Sequence, residues 1–363
     1  MKASVAIGTL ACVCSLASAF PAVASGVDSA KVKIGITLPT QNIERFYREG
    51  QFLQQAFEDE GYDVSLYYAG DNDLEIQQRQ ISRMVDEGCE VIIVGAVDSY
   101  KLGEQLQKAK EAGVKVVAYG SMLMNTDAVD YMVAFDAKRT GEMQGDYLRS
   151  ALNLDDASPS NPRTIEVFSG VAADSSSQAV FLGAMSVLNP YIESGALLVR
   201  SGDIDFASTN VGVADAESIK RMDDLVAAQG YAPDGVRLDA VLSPSDIASA
   251  AIIASLERVG YTSENMPKIT GQDCSSLGIH NIEKGVQGMS VFKDGRVLAN
   301  STVKMTASIL KGDQVRVTNP GIDNGVKQVP SYECEPVNVA DGQYAQVMVD
   351  NGYLTQNDID NPF

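Results

Sequence analysis

Two hydrophobic rhythms alternate along the chain from residue 32 onward. Val32-Lys33-Ile34-Gly35-Ile36-Thr37-Leu38, Val91-Ile92-Ile93-Val94 and 114–119 read as strands. The second is apolar on both faces, as a strand inside a parallel sheet must be. Between them, apolar positions recur three and four apart, as at Leu102, Leu106 and Ala109, which predicts helices over 46–60, 75–87 and 101–112. Gly61, Gly88 and Gly113 follow these helices, where a left-handed residue stops the winding. With a further strand at 64–68, the order is βαβα, a doubly wound α/β lobe. The rhythm then restarts. Strands at 164–168, 197–203, 240–242 and 268–271 alternate with helices at 179–188, closed by Pro190, 214–229 and 247–259. A second, similar lobe follows, with 155–163 as a surface insertion.

Composition narrows the class. The first 24 residues carry one charge, Lys2, then an apolar run from Val5 to Phe20 and the small residues Ala22-Val23-Ala24. This is the pattern of a removable signal peptide, and it places the mature chain in the periplasm or elsewhere outside the cytoplasm. Thr9-Leu10-Ala11 before Cys12 matches a lipidation site poorly. About 339 residues remain, too many for one ordinary core, so two lobes are expected. The whole chain has 28 basic and 48 acidic residues and a net charge of −20. Removing Lys2 with the signal leaves −21. That balance argues against a nucleic-acid partner or an anionic membrane surface. Of the five cysteines, three lie beyond the signal, Cys89, Cys274 and Cys334, too few for a disulfide scaffold. A single histidine, His280, leaves little material for a zinc or histidine-based catalytic centre, and no cofactor is expected.

In doubly wound sheets, ligands bind beyond the carboxyl ends of the strands. At those loops the chain resembles the periplasmic sugar-binding proteins of ABC importers, the xylose- and multiple-sugar-binding receptors. The resemblance is carried by Gly183-Ala184-Met185-Ser186-Val187-Leu188-Asn189-Pro190-Tyr191-Ile192, Asp239-Ala240-Val241-Leu242-Ser243-Pro244-Ser245-Asp246, Gly271-Gln272-Asp273, Val291-Phe292-Lys293 and Asn324-Gly325-Val326-Lys327-Gln328-Val329-Pro330-Ser331. It implies a type I periplasmic-binding-protein fold: two Rossmann-like lobes joined by three hinge crossovers, near 136–138, 292–296 and 324–328. The implied lobes are 31–136 plus 294–326 and 137–293 plus 327–363. The implied function is capture of a monosaccharide or related small sugar between closing lobes, for delivery to the transmembrane subunits of an ABC permease. The protein is expected to be a monomer and not an enzyme.

Matched position by position, the resemblance implies a ligand set of Arg45, Phe46, Asp174, Ser176, Ser121, Asp246, Gln272, Asp273 and Lys293. An arginine fork suits ring and hydroxyl oxygens, and an aromatic face covers the C–H side of a sugar. Asp246 also precedes a helix, where a first-turn acid is an ordinary structural residue. Lys293 reads equally as a ligand contact or a hinge salt bridge. Several positions depart from the family. Its Tyr-Asp-Arg is Tyr119-Gly120-Ser121, its Phe-Asp-Asn is Phe135-Asp136-Ala137, and its Asp-Asn-Asn is Asp174-Ser175-Ser176. There is no tryptophan, so Phe206, Tyr47 or Tyr100 is expected to replace the family's stacking ring. These changes leave open a non-sugar polar solute, or a sensory role presenting ligand to a membrane sensor. A glycosidase would need two carboxyls set about 5–10 Å apart in supporting architecture, and adjacent acids such as Asp155 and Asp156 offer none.

Overall fold

The computed structural model describes residues 31–212, 215–340 and 342–363. The expected signal at 1–24, with Cys12 and Cys14, lies outside the described residues. The first lobe is built from β1 (Lys33–Leu38), α1 (Glu44–Asp59), β2 (Asp63–Tyr68), α2 (Leu74–Asp86), β3 (Val91–Val94), α3 (Gly103–Glu111), β4 (Lys115–Tyr119) and β5 (Tyr131–Phe135). The chain then crosses to α4 (Ala137–Ala151), β6 (Arg163–Val167), α5 (Ser175–Glu193), β7 (Leu197–Val199) and α6 (Asp215–Gln229). The second lobe continues with β8 (Ala240–Leu242), α7 (Asp246–Arg258), β9 (Lys268–Ile269), α8 (Ser276–Glu283) and β10 (Met289–Phe292). The chain returns for α9 (Gly295–Lys311), β11 (Asn319–Asp323) and β12 (Gln328–Cys334), then crosses again to β13 (Val337–Ala340) and α10 (Gln356–Asp360).

The first sheet has seven strands in the order β11-β12-β5-β4-β3-β1-β2. All pairs are parallel except β11 with β12. The second sheet runs β7-β6-β8-β9, all parallel, and a Gln272↔Val291 bridge joins it to the β10–β13 pair. Val91–Val94 is buried throughout and lies between β1 and β4, as its two-faced apolarity requires. Each of the two larger sheets is covered on both faces by its own pair of apolar clusters, and a fifth cluster around Ile279, Phe292, Val339 and Ile359 joins α8, β10, β13 and α10. Strand ends therefore emerge at the interlobe cleft with rigid layers behind them.

Three features differ from the periodicity. Pro190 lies inside α5, in its last turn, where only the final ladder bonds are at stake. The helix runs on to Glu193 and is stopped by Gly195 at φ 76°. The pattern above omits β5, a short run whose apolar residues Met132–Phe135 are all buried. The stretch 327–363 was expected wholly in the second lobe, but Gln328–Cys334 pairs with β5, from Ser331↔Met132 to Cys334↔Phe135. The third crossing thus falls after Cys334, not at 324–328. β5 would otherwise be an unpaired edge, and β12 with its partner β11 covers it.

Two crossovers are built alike. Asp136 and Asp294 cap α4 and α9 by accepting from the backbone of Arg139 and Arg296 at 2.8 and 3.0 Å. One residue, Asp136, separates strand from helix at the first crossover and two, Lys293 and Asp294, at the second, a short joint for a hinge in each case. Behind the second-lobe loops, α4 and α5 pack so closely that a Cβ on Gly141 would overlap the Val180 carbonyl and one on Gly183 the Lys138 carbonyl.

Candidate ligand-binding cleft

A cavity of about 160 Å³ lies between the lobes. Arg45, Phe46, Glu49, Tyr119 and Ser121 line it from the first lobe. Asp174, Ser177, Pro244, Ile247, Gln272 and Asp273 line it from the second. The first turn of α1 aims Arg45 and Phe46 at the cleft. Arg45 Nε donates to Glu49 Oε1 at 2.8 Å, one helical turn on, and its guanidinium lies 5.5 Å from the Phe46 ring centre. Arg45 Nη1 also reaches Asp273 Oδ1 at 3.3 Å, an ion pair between the lobes. The fork is thus fixed by two carboxylates, which leaves its remaining N–H groups oriented.

Asp273 sits on a left-handed backbone, φ 93°, followed by Cys274 at φ 48°. Such a conformation costs about 1–3 kcal/mol at a non-glycine residue and persists only where neighbours enforce it. Here the Asp273 N–H donates to Val291 O at 2.9 Å and the Cys274 N–H to Ser290 Oγ at 3.1 Å. Lys293 Nζ stands 2.6 Å from Asp273 Oδ1 and 3.3 Å from Gln272 Oε1. Burial alone would raise the Asp273 carboxyl, but Lys293 and Arg45 outweigh it and hold it below the ordinary carboxylate range. Burial, with Arg45 nearby, lowers Lys293. Burial and the Glu49 charge push the Tyr119 phenol well up. Glu49 Oε2 and the Tyr119 hydroxyl are buried without a hydrogen-bond partner.

Asp174 caps α5. It accepts from the Ser176 N–H at 2.9 Å, from Ser176 Oγ at 2.9 Å and, across the cleft, from Ser121 Oγ at 2.5 Å. Ser121, standing where the resemblance places an arginine, thus bridges the lobes as a neutral donor. Further bonds close the same rim: Ser99 N–H to Ala173 O at 2.8 Å and Ser175 Oγ to Met122 O at 2.8 Å. The lobes are in direct contact, in a closed arrangement.

Six of the nine expected residues meet at the cavity: Arg45, Phe46, Ser121, Asp174, Gln272 and Asp273. Lys293 stands behind Asp273 rather than at the wall. Ser176 is turned onto Asp174, and Ser177 takes the place at the lining. Asp246 does not line the cleft. It is 1% exposed and faces a recess of about 80 Å³ beside Ser275 that adjoins the cleft and shares Arg45, Ile247 and Asp273 with it. There it accepts from Ser275 N, Gln287 Nε2 and Ser290 Oγ at 2.9, 2.8 and 2.8 Å. Burial and the Asp273 charge raise its carboxyl to about 7. The expected stacking substitutes also lie elsewhere: Phe206 packs edge-on against Phe181 and Tyr47 stacks on Phe363. Tyr100 is not in the lining, whose aromatics are Phe46 and Tyr119.

Residue types alone did not single out two supports. Gln77 Nε2 donates to Gly95 O and its Oε1 accepts from the Val97 N–H, both at 2.7 Å, which fixes the loop after β3. Gln144, on α4, donates to Ser243 O at 3.2 Å and Gly271 O at 3.0 Å, tying together the loops after β8 and β9. The one available signal is a glutamine on the inward face of a helix, Gln77 in line with Ile81 and Met84, and Gln144 beside Gly141 and Gly145.

Two doubly wound lobes, three crossovers and a polar cleft between the strand ends define a two-lobed solute receptor of the type I periplasmic-binding-protein fold. The periplasmic binding protein domain family matches residues 34–314, and the chain belongs to that family. It is 39% identical over 329 residues to a multiple sugar-binding periplasmic protein, SbpA, of Azospirillum brasilense, covering 90% of each chain. It is 38% identical over 335 residues to the multiple sugar-binding periplasmic receptor ChvE of Rhizobium radiobacter, covering 91% of this chain and 93% of that one. An ABC transporter solute-binding protein from Clostridium phytofermentans, solved with bound β-D-glucose, superposes with a TM-score of 0.86 at 36% identity. That match covers 90% of this chain and 99% of the other.

Proposed function

We propose that this chain is the extracytoplasmic solute-binding protein of an ABC importer, and that it captures a monosaccharide or related small sugar in the cleft. The observation that carries this reading is the Arg45–Asp273 pair, which joins the two lobes at 3.3 Å beside the Phe46 ring. A pyranose needs those elements: a carboxylate accepting from neighbouring hydroxyls, a cationic fork donating to ring or hydroxyl oxygens, and a flat apolar face. A buried carboxylate is costly to desolvate. Lys293 and Arg45 offset that cost for Asp273, so it can serve a neutral polyol. On the opposite side, Asp174 with Ser121 and Ser177 offers acceptors and rotatable hydroxyl donors. The relatives support the same reading, two by the multiple sugar binding in their names and one by its bound glucose. They also favour binding over catalysis.

Ligand that touches both lobes shifts the population towards the closed form, whose surface a membrane permease then reads. Because Ser121 and Ser177 are short, the sugar's substituents on that side are selected by space and by hydroxyl contacts rather than by a charged fork. A thermal-shift screen over pentoses, hexoses, their derivatives and disaccharides tests the reading, with D-glucose and D-xylose as first probes. Stabilisation by one or more sugars is expected. Stabilisation by none, with binding of a non-sugar polar solute instead, would overturn it.

A further inference from the structure

One carboxylate outside the cleft lining joins the two lobes. Glu44, the first residue of α1, is 7% exposed; it is not in the lining of the main cavity but lines the small recess beside it, with Arg45, Asp246 and Asp273. Its Oε2 accepts from both the backbone N–H and the Oγ of Ser276, the first residue of α8 in the opposite lobe, each at 2.8 Å. Its Oε1 accepts from Arg48 Nε at 2.8 Å. The charge therefore lies at two helix N-termini at once, where aligned peptide dipoles favour an anion. The Arg45–Asp273 pair joins the lobes inside the cleft and Asp174 with Ser121 joins them at the opposite rim, so Glu44 holds the rim on the α8 side. Ser276 is three residues after Asp273, on the segment whose left-handed residues need external support. Asp246 holds the same turn from within the second lobe, through Ser275.

We infer that Glu44 is a closure latch and a positioning residue: it caps α8 from across the cleft only when the lobes meet, and so couples closing to the placement of the Asp273 carboxylate. The inference rests on the reading of the cleft as a sugar site that closes. It differs from a ligand contact in what it predicts. Removing the latch weakens every ligand by the same factor, because the closed state itself is lost, whereas removing a contact changes the ranking of ligands.

The test compares wild type, Glu44→Gln and Glu44→Ala with D-glucose and D-xylose as probes. Calorimetry and stopped-flow fluorescence read affinity and release. Small-angle scattering reads closure, and the melting temperature without sugar reads the fold. Glu44→Ala is expected to weaken both sugars about tenfold or more and by equal factors, chiefly through faster release. Scattering should then show incomplete closure, while sugar-free melting stays near wild type. Glu44→Gln keeps an oxygen that can accept both Ser276 bonds, so it should recover part of the loss. Unchanged affinity in Glu44→Ala overturns the latch, as does a changed ranking of the two sugars. So does a fall in sugar-free melting that glutamine fails to recover. A wild-type protein that binds no carbohydrate overturns the sugar reading and the latch with it.

Discussion

The Asp273 carboxylate in the cleft is set by its neighbours more than by its own position. Asp273 is exposed by 20%, yet Lys293 and Arg45 keep it ionised against the pull of burial. Arg45→Ala and Asp273→Ala are each expected to weaken sugar binding tenfold or more by calorimetry, on the order of 1.4 kcal/mol or above. Asp246 carries a pH signature of the opposite sense. Its folded-state value of about 7 lies above the ordinary carboxylate value of about 4, so the native state holds a proton that the unfolded chain releases first. Its contribution to stability is intact below about pH 4 and is lost as pH rises towards 7. Melting temperatures of wild type and Asp246→Asn, measured across that window, should shift progressively in favour of the variant. A constant gap would defeat the assignment. That Asp246 is an acid near the ligand loops is legible in the sequence. That it points into the second lobe depends on Ser290 and Gln287, more than forty positions away, and no local pattern carries that.

Between elements, the loops are held by buried amides. Gln144 joins the ends of β8 and β9 from α4, so Gln144→Leu removes both bonds that tie these loops to the helix, although Ser243 O still accepts from Thr270 Oγ1 and Gly271 O from the Val291 N–H. A loss of about 1–3 kcal/mol is expected, seen as a drop of several degrees in melting temperature. Affinity should weaken as well, because Gly271 precedes Gln272 and Asp273 in the cleft lining. Calorimetric scanning and titration of the same variant check both. Ser121, in the loop after β4, is a specificity lever of a different kind. Ser121→Arg places a cation beside Asp174, and the ranking of sugars in the thermal-shift screen should change. An unaltered ranking would remove that loop from the site. The strands at 91–94 and 240–242 were readable because burial on both faces writes a continuous apolar run. β12 was not, because Gln328–Cys334 mixes polar and apolar residues, and its place is decided by the open edge of β5.

At the scale of the whole molecule, the closed arrangement ties residues far apart in sequence. Arg45 pairs with Asp273 across 228 positions and Glu44 with Ser276 across 232. Addition of a bound sugar should leave a compact, closed particle in solution, with a smaller radius of gyration than the sugar-free protein by small-angle scattering. A radius that does not change with ligand would argue against closure as the working motion.

The sequence by itself determined the fold class, because the alternation of apolar periods and the glycines that stop helices are local and survive without a fold. Through Arg45-Phe46 and Gly271-Gln272-Asp273 it also placed the two halves of the candidate cleft. Only the tertiary structure decided which acids face that cleft, that Lys293 stands behind Asp273, and that Glu44 reaches across to α8. The physical reason is that side-chain direction and charge pairing at the cleft are set by contacts between lobes, and those exist only once both lobes have folded and met.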